Sequence, residues 1–295
     1  DVVKLSLSKA LDESQWSAGY KVDLLFGPDA NAFGTGSSSK SITIPGGEGG
    51  PDSSPIGLAN NSDFAIKQAY VAVRAPVGNG IDFKVGVWDT IIGYETFDAG
   101  SNPNYTRSYG FQIEPTTHTG VLASYQVSSA VSFSAGIGNT VGPAINEKGH
   151  APNSGLDGVA ESYKTYMGSV VVTAPEDWGF ISGSTLYAGI VNGYNNGADW
   201  DQTSYYLGAT LNTPVKNLKV GAALDYLTTT DYNAGDSSDV DATALSLYAS
   251  LQATEKLSLH LRGEYAESDT TLLGGAAGLA GGNNKVVALT TTLQY

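Results

Sequence analysis

Apolar and polar residues alternate along most of this chain. In Leu257-Ser258-Leu259-His260-Leu261-Arg262-Gly263-Glu264-Tyr265, one set holds Leu257, Leu259, Leu261, Gly263 and Tyr265. The other holds Ser258, His260, Arg262 and Glu264. Successive side chains of a strand point to opposite faces, so the segment predicts a strand with one apolar side. Helical spacing would mix the two sets. Val220, Ala222, Leu224 and Tyr226 repeat the pattern, as do Ile81, Phe83, Val85 and Val87. So do Leu245, Leu247, Ala249 and Leu251, and Trp16, Ala18, Tyr20, Val22 and Leu24. Strands are expected over Val2–Ala10, Gln15–Phe26, Asp63–Ala75, Gly80–Trp88, Thr116–Val127, Ala130–Asn139 and Thr165–Ala174. They continue over Gly183–Asn192, Ser204–Thr213, Leu218–Thr228, Asp241–Ala253, Lys256–Ala266 and Lys285–Tyr295. That makes about 13 segments, near the roughly ten residues of a strand that crosses a bilayer.

The connections alternate in length. Tight ones fall at Leu11–Ser14, Pro76–Gly80, Val127–Ser129, Pro214–Asn217 and Thr254–Lys256. Between them lie long Gly-, Ser-, Asn- and Asp-rich stretches: Gly27–Ser62, Asp89–Pro115, Thr140–Ser162, Asn192–Gln202, Thr228–Val240 and Glu267–Asn284. Short turns at one end and long polar loops at the other predict an all-β fold, an antiparallel transmembrane β-barrel forming a single domain over residues 1–295. Barrels of this class carry even strand numbers with both termini at the short-turn end. An odd count therefore leads us to expect a strand before Asp1, giving roughly fourteen in the intact barrel. The chain has no initiator Met and opens inside a strand pattern, so a processed or missing N-terminus is expected.

A water-soluble sandwich or barrel would alternate as cleanly. Three features favour the membrane. The polar face carries Lys4, Lys21, Asp23, Asp82, Lys84, Asp225, Arg262 and Glu264, charges that read as unpaired and suit a wet lumen. Aromatic residues sit near strand ends at Trp16, Phe26, Tyr125, Tyr205, Tyr265 and Tyr295, where an interfacial girdle belongs. The turn–loop asymmetry is regular. No run of 18 or more apolar residues occurs, so a transmembrane helix is not expected.

Composition narrows the function. The 295 residues include no Cys, which removes disulfides, thiol catalysis and thiolate metal sites. The net charge of −14 has the wrong sign for a phosphate-binding surface, so nucleic acid is not an expected partner. It leans instead towards a cation preference, although much of it falls in loops.

Specific segments carry a resemblance. Asp89-Thr90-Ile91-Ile92-Gly93-Tyr94-Glu95 is followed by Asn102-Pro103-Asn104-Tyr105-Thr106-Arg107-Ser108-Tyr109 and Pro115-Thr116-Thr117-His118-Thr119-Gly120-Val121. With Val22-Asp23-Leu24-Leu25-Phe26-Gly27-Pro28-Asp29-Ala30, these resemble the OmpL-like β-barrel porin family of bacterial outer membranes. The motifs cover roughly the first half of the chain; the remainder matches in general barrel pattern. The resemblance implies a porin with a strand before the Val2–Ala10 segment, and it implies no particular solute.

The segment 89–115 is the candidate constriction loop. A loop folded into the lumen sets pore width, and opposed charges across it create a transverse field. Glu95 and Asp98 are expected to face a basic wall including Arg74, Lys84, Arg107 and Arg262. Asp225, His260 and Glu264 complete the expected pore lining. The plain alternative is an outward surface loop, or ion pairs that only brace the barrel. Acidic loop residues (Asp29, Glu48, Asp52; Asp199, Asp201; Asp231, Asp236, Asp239) could hold Ca²⁺ or bridge lipopolysaccharide, but they lack the spacing of an EF-hand. Solvated charge is the favoured reading.

Catalysis has little support. His118, His150 and His260 are the three histidines, and no G-x-S-x-G elbow occurs. Gly36-Ser37-Ser38-Ser39-Lys40-Ser41 lacks the Gly before Lys of a phosphate loop. The expected function is passive diffusion of small solutes or ions through a polar lumen, with no cofactor, metal or enzymatic activity. Expected partners are outer-membrane lipid, lipopolysaccharide and the solutes, with a homo-oligomer or partner protein left open. The alternatives are a structural barrel that scaffolds or sheathes a partner protein, and a surface adhesin.

Overall fold

Alternation of this kind allows backbone pairing on both sides of every segment, and the fold realises it. The computed structural model describes residues 3–12, 15–27, 30, 64–143, 145, 149, 163–195, 200–231, 240–268 and 284–295. Its strands are β1 (Val3–Lys9), β2 (Ser17–Phe26), β3 (Phe64–Ala75), β4 (Ile81–Asp89), β5 (Thr117–Gln126), β6 (Val131–Gly138) and β7 (Thr165–Thr173). They continue with β8 (Thr185–Asn195), β9 (Trp200–Asn212), β10 (Leu218–Asp231), β11 (Val240–Gln252), β12 (Ser258–Ser268) and β13 (Asn284–Gln294). All thirteen form one sheet in chain order. Every neighbouring pair is antiparallel, so short turns suffice to join strands at one end.

The register sorts the side chains into two faces. Ile81, Tyr125, Phe133, Val170, Ala188, Leu207, Leu224, Leu245, Tyr265 and Val287 are paired one to the next across ten strands. This apolar row is the outer face: Val85, Leu207, Leu247 and Leu289 are all exposed. Bilayer hydrocarbon is the solvent that matches such a surface, and a sheet satisfies its own backbone groups there. The opposite face holds rows such as Asn212, Lys219, Ser250, His260 and Thr292. One step further from the turns lie Thr210, Gly221, Tyr248, Arg262 and Thr290.

The sheet curls round its polar face into a barrel. A single connection, residues 90–116 between β4 and β5, makes side-chain contacts with β1 and with β8 to β13. One loop can touch strands that far apart in the sheet order only if they surround it.

Of the predicted tight turns, the four at Pro76–Gly80, Val127–Ser129, Pro214–Asn217 and Thr254–Lys256 are present, and Leu11–Ser14 lies partly outside the described residues. In the one between β3 and β4, Gly80 N donates to Val77 O at 3.0 Å, and Gly78 takes φ +60°, where a side chain would be strained. Two expected boundaries need correction. The stretch Asn192–Gln202 does not form a loop throughout, because Gly193 pairs with Gln202, Tyr194 with Asp201 and Asn195 with Trp200. Likewise β10 continues to Asp231, and Thr229 pairs with Val240. Polar composition marked these residues as loop. Ladder bonds are made by backbone, however, and beyond the lipid band neither face needs apolar side chains. A one-turn 3-10 helix at Gly179–Ile181, between β7 and β8, was not signalled by the periodicity. Of the acidic residues in the other expected long loops, Asp29, Glu48, Asp52, Asp199, Asp236 and Asp239 lie outside the described residues.

Candidate functional site in the lumen

The polar loop 90–116 contains an apolar pair, Ile91-Ile92, and that pair sets its course. Both are buried in a cluster with Trp88, Leu122 (β5), Met167 (β7), Val191 (β8), Tyr206 (β9), Ala223 (β10) and Tyr248 (β11). Burying an isoleucine side chain is worth about 1.5–3 kcal/mol, so the pair draws the loop inward. The Tyr187 hydroxyl donates to Ile91 O. Gly93, at φ +107°, turns the chain beside the Glu114 carboxylate, where a Cβ would clash. The Tyr94 ring then stacks on Tyr248, with centroids 4.1 Å apart and planes 13° from parallel.

Beyond this core the loop is tied down by charge. Arg262 on β12 is buried and bonds Glu95 Oε1 at 2.8 Å and Glu264 Oε2 at 2.7 Å. It also donates to Thr106 O at 2.6 Å and Arg107 O at 2.9 Å. The two carboxylates are satisfied in turn. Glu95 accepts from Ser108 N at 2.7 Å and from the Tyr248 hydroxyl at 3.3 Å, and Glu264 accepts from Tyr109 N at 2.8 Å. Charge-assisted bonds of this kind hold geometry strongly, and a guanidinium has enough donors to bind two carboxylates and two carbonyls.

The remaining contacts carry the loop across to the sheet's two edge strands. Asp98 pairs with Lys4 of β1 at 2.5 Å, and Asn104 Oδ1 accepts from Thr292 of β13 at 3.0 Å. A short helix, α1 (Tyr109–Ile113), follows; its N-cap Ser108 Oγ accepts from Phe111 N at 3.1 Å. Ile113 packs with Leu227, Ala242, Ala244 and Ala266 on the inner wall. After α1, the Glu114 carboxyl donates to Asp225 of β10. Burial, then the Asp225 charge beside it, pushes the Glu114 carboxyl well above the usual glutamate range.

The residues singled out by sequence therefore divide. Glu95, Arg262, Glu264 and Asp225 meet at the docked loop. Asp98 joins Lys4, which was not among the expected wall residues. Arg107 lies on the loop itself, donating to Phe97 O and standing over the Phe111 ring at 5.2 Å. Arg74 pairs with Asp82 at 2.6 Å near the turn end, and Lys84 sits 5.0 Å over the Tyr70 ring. His260 bonds Ser250 at 2.9 Å and Ser258 at 3.0 Å, on the turn side of the anchor.

The expectation of unpaired lumen charges is thus corrected. Lys21 pairs with Asp23 at 3.3 Å and Lys67 with Asp89 at 2.7 Å, besides the pairs above. Periodicity reports which face a charge is on, whereas its partner depends on cross-strand register. Sequence reasoning also missed Tyr94, Tyr248 and Lys219 as site residues, and did not foresee the pairing of the loop residue Glu114 with Asp225. The buried Ile91-Ile92 pair was the available signal for the first two. Among the described residues, no three His, Asp or Glu side chains come together as a metal-holding group.

A family model described as "Putative beta-barrel porin-2, OmpL-like" matches residues 2–295. No curated protein matches. Solved structures do. OmpF of Salmonella typhi, solved as a complex with daunomycin, superposes with a TM-score of 0.57 at 13% identity, over 100% of this chain and 78% of that one. The outer-membrane channel DcaP of Acinetobacter baumannii gives 0.53 at 12% identity, over 98% and 72%. OmpT of Vibrio cholerae gives 0.53 at 12% identity, over 100% and 74%. At these identities the likeness is one of fold.

Proposed function

This chain belongs to the OmpL-like family of β-barrel porins of the bacterial outer membrane, and from that premise we propose that the loop 90–116 is the constriction of its channel. Small solutes pass between that loop and the wall by passive diffusion. One observation carries the reading: the loop is held inside the barrel by an apolar core at one end and by Arg262 and Lys4 at the other. On its turn side the lumen keeps a polar recess of about 640 Å³ lined by Arg74, Asp82, Ser124, Ser132 and Ser134, a wet path for hydrated solutes. Opposed charges at the loop are paired directly, so they set width and shape more than a field. Pairing of most interior charges also argues for weaker ion selection than the net charge of −14 would imply.

Swelling of vesicles containing the protein, in neutral sugars of graded size, tests the reading. Small sugars should enter and larger ones should not, and removal of residues 99–104 should raise the size limit. Vesicles that fail to swell in the smallest sugar would contradict it.

A second reading draws on the same loop. Ile91, Ile92 and their partners form an apolar core inside the lumen, which favours a filled barrel serving as a scaffold for another protein. Full occlusion in the swelling assay would favour it.

A further inference from the structure

Most charged inner-wall residues near the loop are matched: Lys4 with Asp98, Lys67 with Asp89, Arg74 with Asp82, Arg262 with Glu95 and Glu264, while Lys84 stands over the Tyr70 ring. Lys219 is different. It belongs to the inner row Asn212–Lys219–Ser250–His260, on the turn side of Arg262. No carboxylate lies within ion-pair distance of it among the described residues, and its side chain is exposed. It lines a recess of about 460 Å³ together with Lys216, His260, Asn217, Ser250 and Gln252. No Asp or Glu contributes to that lining.

The recess thus sets two ammonium groups and several neutral polar side chains beside an apolar floor that includes Val215 and Leu218. Two ammonium groups each offer three donors, and the Asn217 and Gln252 amides add more. The neighbouring polar groups are held in place: both His260 nitrogens bond serine hydroxyls, Asn217 Nδ2 donates to Gln252 O at 3.3 Å, and Gln252 Nε2 donates to Thr254 O at 2.8 Å. Among the described residues, neither Lys216 nor Lys219 has a carboxylate within ion-pair distance. A lone positive charge in a low-dielectric channel focuses anions towards it.

We infer that this recess is a binding subsite for a small oxyanion, with Lys219 as its principal ligand and Lys216 as a second cation at its rim. A carboxylate or a phosphate supplies the chemistry that fits: a compact negative charge with several acceptor oxygens. The subsite deepens the porin reading, because a permeating anion would meet it on the turn side of the constriction. As a structural feature it rests on the recess alone.

Two measurements on the full-length chain separate the claims. The first is equilibrium binding of inorganic phosphate to the detergent-folded protein by calorimetry. The parent should bind, and Lys219→Gln should weaken binding about tenfold, the loss expected for one charge-assisted contact. Lys256→Gln, on the neighbouring β11–β12 turn and outside the recess, should bind like the parent. Absence of binding to the parent, or equal loss in both variants, overturns the subsite. The second is channel current in KCl as phosphate is added. A dose-dependent drop in the parent, relieved in Lys219→Gln, is expected. Current that drops equally in both overturns the subsite, and binding without any current overturns the porin reading while leaving the subsite standing.

Discussion

Arg262 shows how much a single side chain holds in place. Its guanidinium joins two carboxylates and two loop carbonyls from a buried position. Replacing it with Met leaves Glu95 and Glu264 buried without their cation, a loss of about 3–5 kcal/mol for a broken buried pair. Undocking of the loop should follow, seen as larger and noisier single-channel currents; an unchanged current trace would show that the apolar core alone suffices. Glu114 sets a pH dependence. Its carboxyl is held above the ordinary value of 4.5 in the docked loop, chiefly by burial. Below that value the docked and undocked forms are both protonated, and the contribution to docking is fully present. As pH rises, the undocked form ionises first and docking weakens until the docked carboxyl ionises too. Current noise should therefore grow from acid to neutral pH, and Glu114→Gln should flatten that profile. A Gln variant that keeps the parent's profile would place the dependence elsewhere.

At the scale of the strand, alternation makes sharp claims. Phe133 and Ser132 are neighbours in β6, yet Phe133 is exposed in the outward row with Tyr125 and Val170, and Ser132, paired with Gln126, takes the inward face. The chain contains no Cys, so single cysteines can be read without background. A charged, membrane-impermeant thiol reagent should label Ser132→Cys and spare Phe133→Cys in vesicles; the reverse would put the apolar face inside. Leu207→Arg, on the outer face, should cost roughly 2–4 kcal/mol near the bilayer centre, measured by urea titration of the vesicle-inserted protein. These faces and all thirteen strands were legible in the sequence, because alternation has one physical cause. Strand ends were less so. The residues around Gly193, Tyr194 and Asp201 extend the ladder through backbone bonds, which side-chain polarity does not report. The site was half legible. The loop's polar composition and charges singled out a segment that the fold docks against the inner wall, and Glu95, expected to face a basic wall, bonds Arg262. The pairings Asp98 to Lys4 and Glu114 to Asp225 join residues far apart in the chain, and only three-dimensional register reveals them.

For the whole molecule, an inward polar face and an outward apolar one make a barrel whose interior holds the docked loop 90–116. Whether that interior conducts is the claim on which the account turns. The direct test is single-channel recording of the full-length protein in a planar bilayer under a KCl gradient. The account predicts discrete ohmic steps, with a reversal potential nearer zero than the chain's net charge of −14 would suggest, since most described lumen charges are paired. Folded, inserted protein that gives no steps at any voltage would contradict it.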